Sequence, residues 1–347
     1  MAALAAQAPP VVPASRHDRG SHRVRALAIS LLRLIATTAT VLFLASTLTF
    51  LLGAITSRNP ASVVLGNTAT QAQVAQLNQQ FGVDRPLYIR YFTWLGDAVQ
   101  GNLGRSWFTT VPVMSSIKQA FPVDLSLALF ALLLAIVLGV GAGIVAAVRS
   151  GGLVDRAVTV ACSVIATMPP FVIGIALIVL LALKARVLPA GGYVAFTADP
   201  LRWLRFAILP ALALGLEVAA NIARQLRTSL VRELRENYAV GAEMRGYSRR
   251  RVLLGHVLRN AVASTLAVIG IAIPLIFGGA VLTEKLFNLP GMAQLALQAA
   301  LEGDVPVVQG VLLATAVVVV AGSLIVNALQ VLLNPAARRG RGMQVAR

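Results

Sequence analysis

One stretch of this 347-residue chain concentrates the side chains that could do chemistry: Tyr238 to Asn260, with five arginines and a histidine in an otherwise apolar sequence. The chemistry on offer is contact by charge and close approach. Tyr238 to Arg245 reads as a short helix whose Ala239, Gly241 and Ala242 let another surface come near, and Gly246 supplies a permissive C-terminal cap. Ser248 can cap a second helix. Arg249 to Arg251 then fall in that helix's first turn, where the positive end of the dipole repels them, so something other than helix stability accounts for them. Two readings stand: basic charge beside a membrane, or contact with lipid phosphates or a partner's carboxylates. Glu243 and Arg245 are candidates to pair with a partner's charges, whereas Glu243 with Arg249 would be an exposed ion pair of little weight.

Other reactive constellations are missing. A phosphate-binding loop needs Gly-Lys-Ser/Thr, yet Lys118, Lys184 and Lys285 are followed by Gln, Ala and Leu. No Gly-x-Ser-x-Gly elbow or His-Glu-x-x-His site occurs, and no buried carboxylate pair is expected. His17, His22 and His256 are too scattered for a metal cage, and Cys162 is alone. The sequence therefore predicts a non-catalytic chain with no cofactor or metal of its own.

The elements that position the loop are membrane spans. Hydrophobic residues make up 57% of the chain and charged ones 12%, which excludes an ordinary soluble domain. Six stretches approach the ~20 apolar residues a spanning helix needs: Leu34–Ala54, Leu125–Val148, Ala157–Leu183, Phe206–Ile222, Ala261–Leu282 and Pro306–Leu333. Six spans put both ends on one side. If that side is cytoplasmic, its segments hold 20 of the 30 basic residues, as the positive-inside rule requires. The net charge of +17 is then topology. Nucleic-acid binding does not fit, because the basic residues are dispersed by span ends without an aromatic platform.

Residues 1–30 and 336–347 read as cytoplasmic tails. Between spans one and two lies a polar insertion, residues 55–122. Thr70 with Gln73 forms a capping-box pattern, Val74, Leu77 and Phe81 follow at helical spacing, and Gly82 can end the helix. Asp84 can cap the next helix, with Pro86 in its first turn and Leu87, Tyr91, Trp94 and Leu95 as its apolar face. Met168-Pro169-Pro170 should kink or break the third span, either as a packing device or beside a pathway. Glu217, inside the fourth span, should face protein, where it lines a pathway or pairs with Arg224. Pro290-Gly291 reads as a turn, and Met292 to Leu301 as a short re-entrant or surface helix.

Several of these segments carry a resemblance. Tyr238, Ala242, Gly246, Tyr247, the arginine run and His256-Val-Leu-Arg-Asn-Ala261 resemble the EAA loop of ABC-importer inner-membrane permeases of the dipeptide and oligopeptide branch. Gln80-Phe-Gly-Val-Asp-Arg-Pro-Leu-Tyr-Ile-Arg-Tyr, with Gly101-Asn-Leu-Gly104-Arg105-Ser, resembles the external insertion of the first of the two peptide permeases. Glu284-Lys-Leu-Phe-Asn-Leu-Pro-Gly291 resembles the family's Glu-x-x-Phe-x-x-Pro-Gly turn. Ser57-Arg-Asn-Pro60 departs from the family's Pro-Gly-Asp-Pro-like turn. The likeness covers roughly residues 25 to 335.

That resemblance implies an all-α integral membrane permease of six transmembrane helices with an external scoop and a cytoplasmic coupling loop at 224–260. It implies residence in the bacterial inner membrane and pairing with a second homologous permease. One or two cytoplasmic ATPase subunits would carry ATP and Mg, and an external solute-binding protein would deliver substrate. Coupling falls to Tyr238, Ala239, Gly241, Ala242, Glu243, Arg245, Gly246 and Tyr247. The scoop contributes Asp84, Arg85, Pro86, Tyr91, Trp94, Gly104 and Arg105, and the pathway candidates are Met168, Pro169, Pro170 and Glu217. Relatives of this architecture handle peptides, nickel complexes, haem or glutathione.

Overall fold

A computed structural model describes residues 16–55, 59–66 and 69–333. The expected tails fall partly or wholly outside them, as do Ser57 and Arg58 of the Ser57–Pro60 turn. Two compact units divide at Ala45 and Ser46. The first contains the leading part of α1 (Arg16–Ile55), which begins inside the segment expected to be a tail.

In the second unit, the insertion holds α2 (Pro60–Leu65), α3 (Gln71–Phe81) and α4 (Leu87–Val99). The capping box at Thr70 and Gln73 forms, and Gly82 ends α3 with φ +65°. Asp84 makes no cap; Pro86 occupies that position, with no side chain bonding to the first turn. Then come α5 (Val113–Val148), α6 (Leu153–Thr167), α7 (Pro170–Leu177, running on as π-helix to Lys184) and α8 (Pro200–Glu233). They are followed by α9 (Asn237–Met244), α10 (Arg249–Val252, then π-helix to Val257), α11 (Leu258–Phe287), α12 (Met292–Glu302) and α13 (Val305–Leu333). Among the described residues the only β pairing is an isolated bridge, Arg105 with Pro112.

Among the described residues, five stretches are long and apolar enough to cross a membrane: Ile35–Gly53, Val113–Val148, Pro200–Glu233, Thr265–Phe287 and Val305–Gln330. The pair α6 and α7 makes a sixth if counted as one broken span. The break lies at the expected prolines and bends the chain by 110°, because Pro169 and Pro170 remove two consecutive amide donors.

Two helices outrun the sequence-based boundaries. α5 starts at Val113 and passes through Pro122, so the insertion ends earlier than residue 122. α8 starts at Pro200, capped by Asp199, whose carboxylate accepts from Leu201 N at 3.1 Å and Arg202 N at 3.0 Å. At 36 and 34 residues and 1.5 Å per residue, both exceed the ~30 Å hydrocarbon thickness. The fourth span and the arginine-rich approach segment are thus one rod.

α8 is the centre of the bundle, with Leu209, Ile222, Leu226 and Leu230 wholly enclosed. Its seam with α5 is made by glycines. A Cβ on Gly139 would lie 2.7 Å from Ala219 O, one on Gly143 2.9 Å from Ala223 O, and one on Gly215 2.7 Å from Ala131 O. In lipid, where burying apolar surface gives helices no advantage over acyl chains, such close backbone approach is what drives association.

Candidate functional site

The loop from the end of α8 to the start of α11 is built on its own small core. Ala239 and Ala242 of α9 pack with Leu226 and Leu230 of α8, Ala147 of α5, and Val252, Leu253 and Val257 beyond the turn. Ala242 is only 3% exposed. Its smallness therefore lets α9 lie close against its own chain, and its side chain is not available to an outside surface as the sequence reading expected. The π-helical turns at Leu253–Val257 add a residue per turn while keeping Leu253 and Val257 in this core.

The opposite face of α9 is uncovered among the described residues. Val240 and Met244 are exposed, Met244 to 85%, and Gly241 has open space where a side chain would sit, while Tyr238 is partly exposed at the edge of the inner face. Glu243, Arg245, Gly246 and Tyr247 are exposed as well. Gly246 has φ +86°, the left-handed conformation its sequence position called for, and the Tyr247 amide reaches back to Ala242 O at 3.3 Å. Arg245 Nε donates to Gly241 O at 3.0 Å. The Arg251 guanidinium lies 5.0 Å from the centre of the Tyr247 ring. The Arg249 side chain lies outside the described residues, so its pairing with Glu243 has no counterpart here.

Tyr238 ties this helix to both neighbours. Its hydroxyl donates to Glu233 Oε2 at 2.5 Å, at the end of α8, and accepts from Asn260 Nδ2 at 3.1 Å, in α11. Through these two bonds α9 is joined to two long helices. A further clamp escaped sequence reading. Buried Asp155 receives Arg227 Nε at 2.8 Å and Nη2 at 2.7 Å, and the Gly151 amide at 2.8 Å. This bidentate pair binds the α5–α6 turn to α8; partners 72 residues apart left no local signal.

The pathway candidates separate. Met168 and Pro170 are half-buried and Pro169 is exposed. Glu217 is half-buried and does not meet Arg224, whose Nη2 donates instead to Asn221 Oδ1 at 2.6 Å. Two helical turns separate Glu217 from Arg224, beyond the i,i+4 reach that an ion pair uses. Asn221, Arg224, Gln225 and Thr228 line a cavity of about 440 Å³ between α8 and α11, a polar stripe that the sequence reading did not pick out.

The buried carboxylate pair declared missing is present. Asp124 of α5 and Glu284 of α11 meet beneath the N-terminus of α12, 6% and 1% exposed. The Met292 amide donates to Asp124 at 3.1 Å and the Gln294 amide to Glu284 at 2.7 Å, satisfying donors that a helix start leaves unpaired. Any side chain on Gly291 would run into both carboxylates. Met292 is enclosed, so α12 is a packed element and not a surface helix.

At this same end of the bundle, opposite the α8–α11 loop, Tyr91 is buried and its hydroxyl bonds Ser46 Oγ at 2.9 Å and Thr47 Oγ1 at 2.8 Å. Asp304 accepts from the Ser106 hydroxyl and from Trp107 N, fastening the loop after α4 to the start of α13. Gly104, with φ +83°, and Arg105, bonded to Thr110 O at 3.3 Å, shape that loop. Arg85 and half-buried Trp94 line a cavity, while Asp84 and Pro86 are exposed in the turn before α4.

Residues 139–339 match the family described as binding-protein-dependent transport system inner membrane component, and residues 27–128 match its N-terminal companion. A protein of Sinorhizobium fredii described as a probable peptide ABC transporter permease is 35% identical over 90% of this chain and all of its own length. The glutathione transport system permease of Escherichia coli is 35% identical over 86% of this chain and 94% of its own. A metal-staphylopine import permease of Staphylococcus aureus is 32% identical over 89% and 98%. With the all-helical membrane bundle, these matches identify the chain as a multi-pass permease of the ABC-importer family, in its peptide-transport branch.

Proposed function

We propose that this chain forms half of a transmembrane pathway for di- or oligopeptides, paired with a second homologous permease in the bacterial inner membrane. Both termini and the α8–α11 loop face the cytoplasm, where one or two ATPase subunits hold ATP and Mg. An external binding protein delivers substrate to the side bearing the insertion. The chain itself catalyses nothing and binds no cofactor.

The observation that carries this reading is the construction of α9. Its inner face is locked to the permease through Ala239, Ala242 and the Tyr238 hydrogen bonds, while Val240, Gly241, Met244 and Tyr247 form an exposed, largely apolar outer face. A helix built so can sit in a groove on an ATPase and pass its motion to α8 and α11, rotating the spans between inward and outward access. The polar stripe Asn221, Arg224 and Thr228 is the best candidate for pathway lining on this chain. The relatives named for glutathione and metal-staphylopine support a second reading, the same machinery with another small cargo.

Affinity purification of the tagged chain in mild detergent, with mass spectrometry of its companions, tests the assembly. A second permease, ATPase subunits and a binding protein are expected; recovery of the chain alone refutes it. Gly246→Trp is expected to uncouple ATP hydrolysis from uptake while leaving membrane insertion intact, and normal uptake in that variant would remove the docking role.

A further inference from the structure

A cavity of about 470 Å³ lies between α4, the loop after it and the ends of α1 and α13. Arg85, Arg90 and Arg105 line it against one carboxylate, Asp97, so its wall is strongly positive. Among the described residues no carboxylate or carbonyl accepts from Arg90, which is half-buried with its guanidinium 5.8 Å from the centre of the Phe50 ring. One turn further along α4, Trp94 Nε1 is enclosed and without a hydrogen-bond partner. An enclosed N–H without an acceptor is costly, and on the wall of a cationic cavity, one turn from an arginine that no oxygen accepts from, it calls for an oxyanion.

Depth in the membrane indicates where that oxyanion comes from. Tyr91 bonds Ser46 and Thr47, which lie inside the apolar stretch Ile35–Gly53. Ser46 is seven residues before Gly53, so Tyr91 reaches about 10 Å below the end of that stretch at 1.5 Å per residue. α4 therefore lies at the level where headgroups meet acyl chains. Its other face agrees: Tyr88, Phe92 and Val99 form a stripe at 66%, 62% and 82% exposure, as in helices that lie in the membrane plane. An amphipathic helix at that depth turns its polar face toward the lipid phosphates.

We propose that this cavity holds the headgroup phosphate of a phospholipid, accepted by Arg90 and the Trp94 indole N–H. The lipid pins the insertion to the bundle at the point where α4 meets α1 and α13. This site is separate from the coupling loop and independent of which cargo is carried.

The test is native mass spectrometry of the importer assembly purified in mild detergent, counting phospholipids that survive delipidation. The wild type is expected to keep one phospholipid whose occupancy falls at least tenfold in Arg90→Gln and less in Arg90→Lys. Trp94→Phe, which removes only the N–H, is expected to lower occupancy several-fold and serves if Arg90→Gln does not assemble. Equal occupancy in wild type, Arg90→Gln and Trp94→Phe overturns the site. Displacement of the lipid by millimolar inorganic phosphate or dialanine would show that a soluble oxyanion is the occupant and would overturn the lipid assignment.

Discussion

Gly139→Ala should weaken the α5–α8 seam measurably, and the structure sets the size of the effect. The added methyl would lie 2.7 Å from Ala219 O and 2.8 Å from the Ile222 Cβ, against an ordinary contact of 3.4 Å or more, so the helices must part by about 0.7 Å. A gap of ~0.5–1 Å forfeits a quarter to a half of each ~0.1–0.2 kcal/mol atom contact. Spread over tens of contacts at the crossing, the loss is about 1–3 kcal/mol, the range found for overpacked cores. Alanine returns roughly 0.5–1 kcal/mol of helix propensity, leaving a net destabilisation of about 0–2.5 kcal/mol against wild type and the full ~1–3 kcal/mol against an alanine that gains the propensity without the clash. Gly141, two residues on, has nothing within 4 Å of its Cβ position. Gly141→Ala therefore gains the propensity without the clash and should be as stable as wild type or slightly more so. Gly143→Ala, whose Cβ would lie 2.9 Å from Ala223 O, should fall between. Unfolding in mixed micelles titrated with dodecyl sulfate measures all three. Equal stability of Gly139→Ala and Gly141→Ala would refute the claim that close backbone approach holds this seam.

Asp155→Ala should cost about 1.5–3 kcal/mol, the worth of hydrogen bonds to a charged group, and Arg227→Ala should add little once Asp155 is gone; the double variant in the same unfolding assay checks the coupling. Met244→Glu should leave the fold intact, because that side chain is 85% exposed, yet lower recovery of ATPase subunits in affinity purification; unchanged recovery would remove α9's outer face from the interface. For Asp304, burial outweighs its hydrogen bonds from Ser106 and Trp107 and holds the carboxyl above the usual carboxylate range. A raised folded-state pKa means stability present below the unfolded value and lost as pH rises through the folded one. Asp304→Asn should therefore flatten the decline in thermal stability between acid and neutral pH, and an unchanged profile would count against this cause.

Much of the architecture was legible because membrane constraints act locally. About 20 apolar residues in a row leave few alternatives to a span, the Met168-Pro169-Pro170 run must break its helix, and Gly246 stands where a left-handed cap is needed. The Thr70–Gln73 capping box was equally readable, since both partners lie within one turn. Even the family could be named from two separated motifs in the right order.

What tertiary structure decided were the relations between distant residues. Asp124 with Glu284 and Asp155 with Arg227 are joined across 160 and 72 positions, and no periodicity announces such partners. Ala242 looked like a docking residue because small side chains permit close approach from any direction; only the fold shows that α8 and the π-helical turn are what approach it. The sequence by itself determined which segments are long and apolar enough to cross the bilayer and where the polar, arginine-rich loop falls between them, since solvent preference is a property of each segment alone. Which face of each helix is inner or outer, and so which residues are left for partner, lipid or cargo, depends on every neighbour at once.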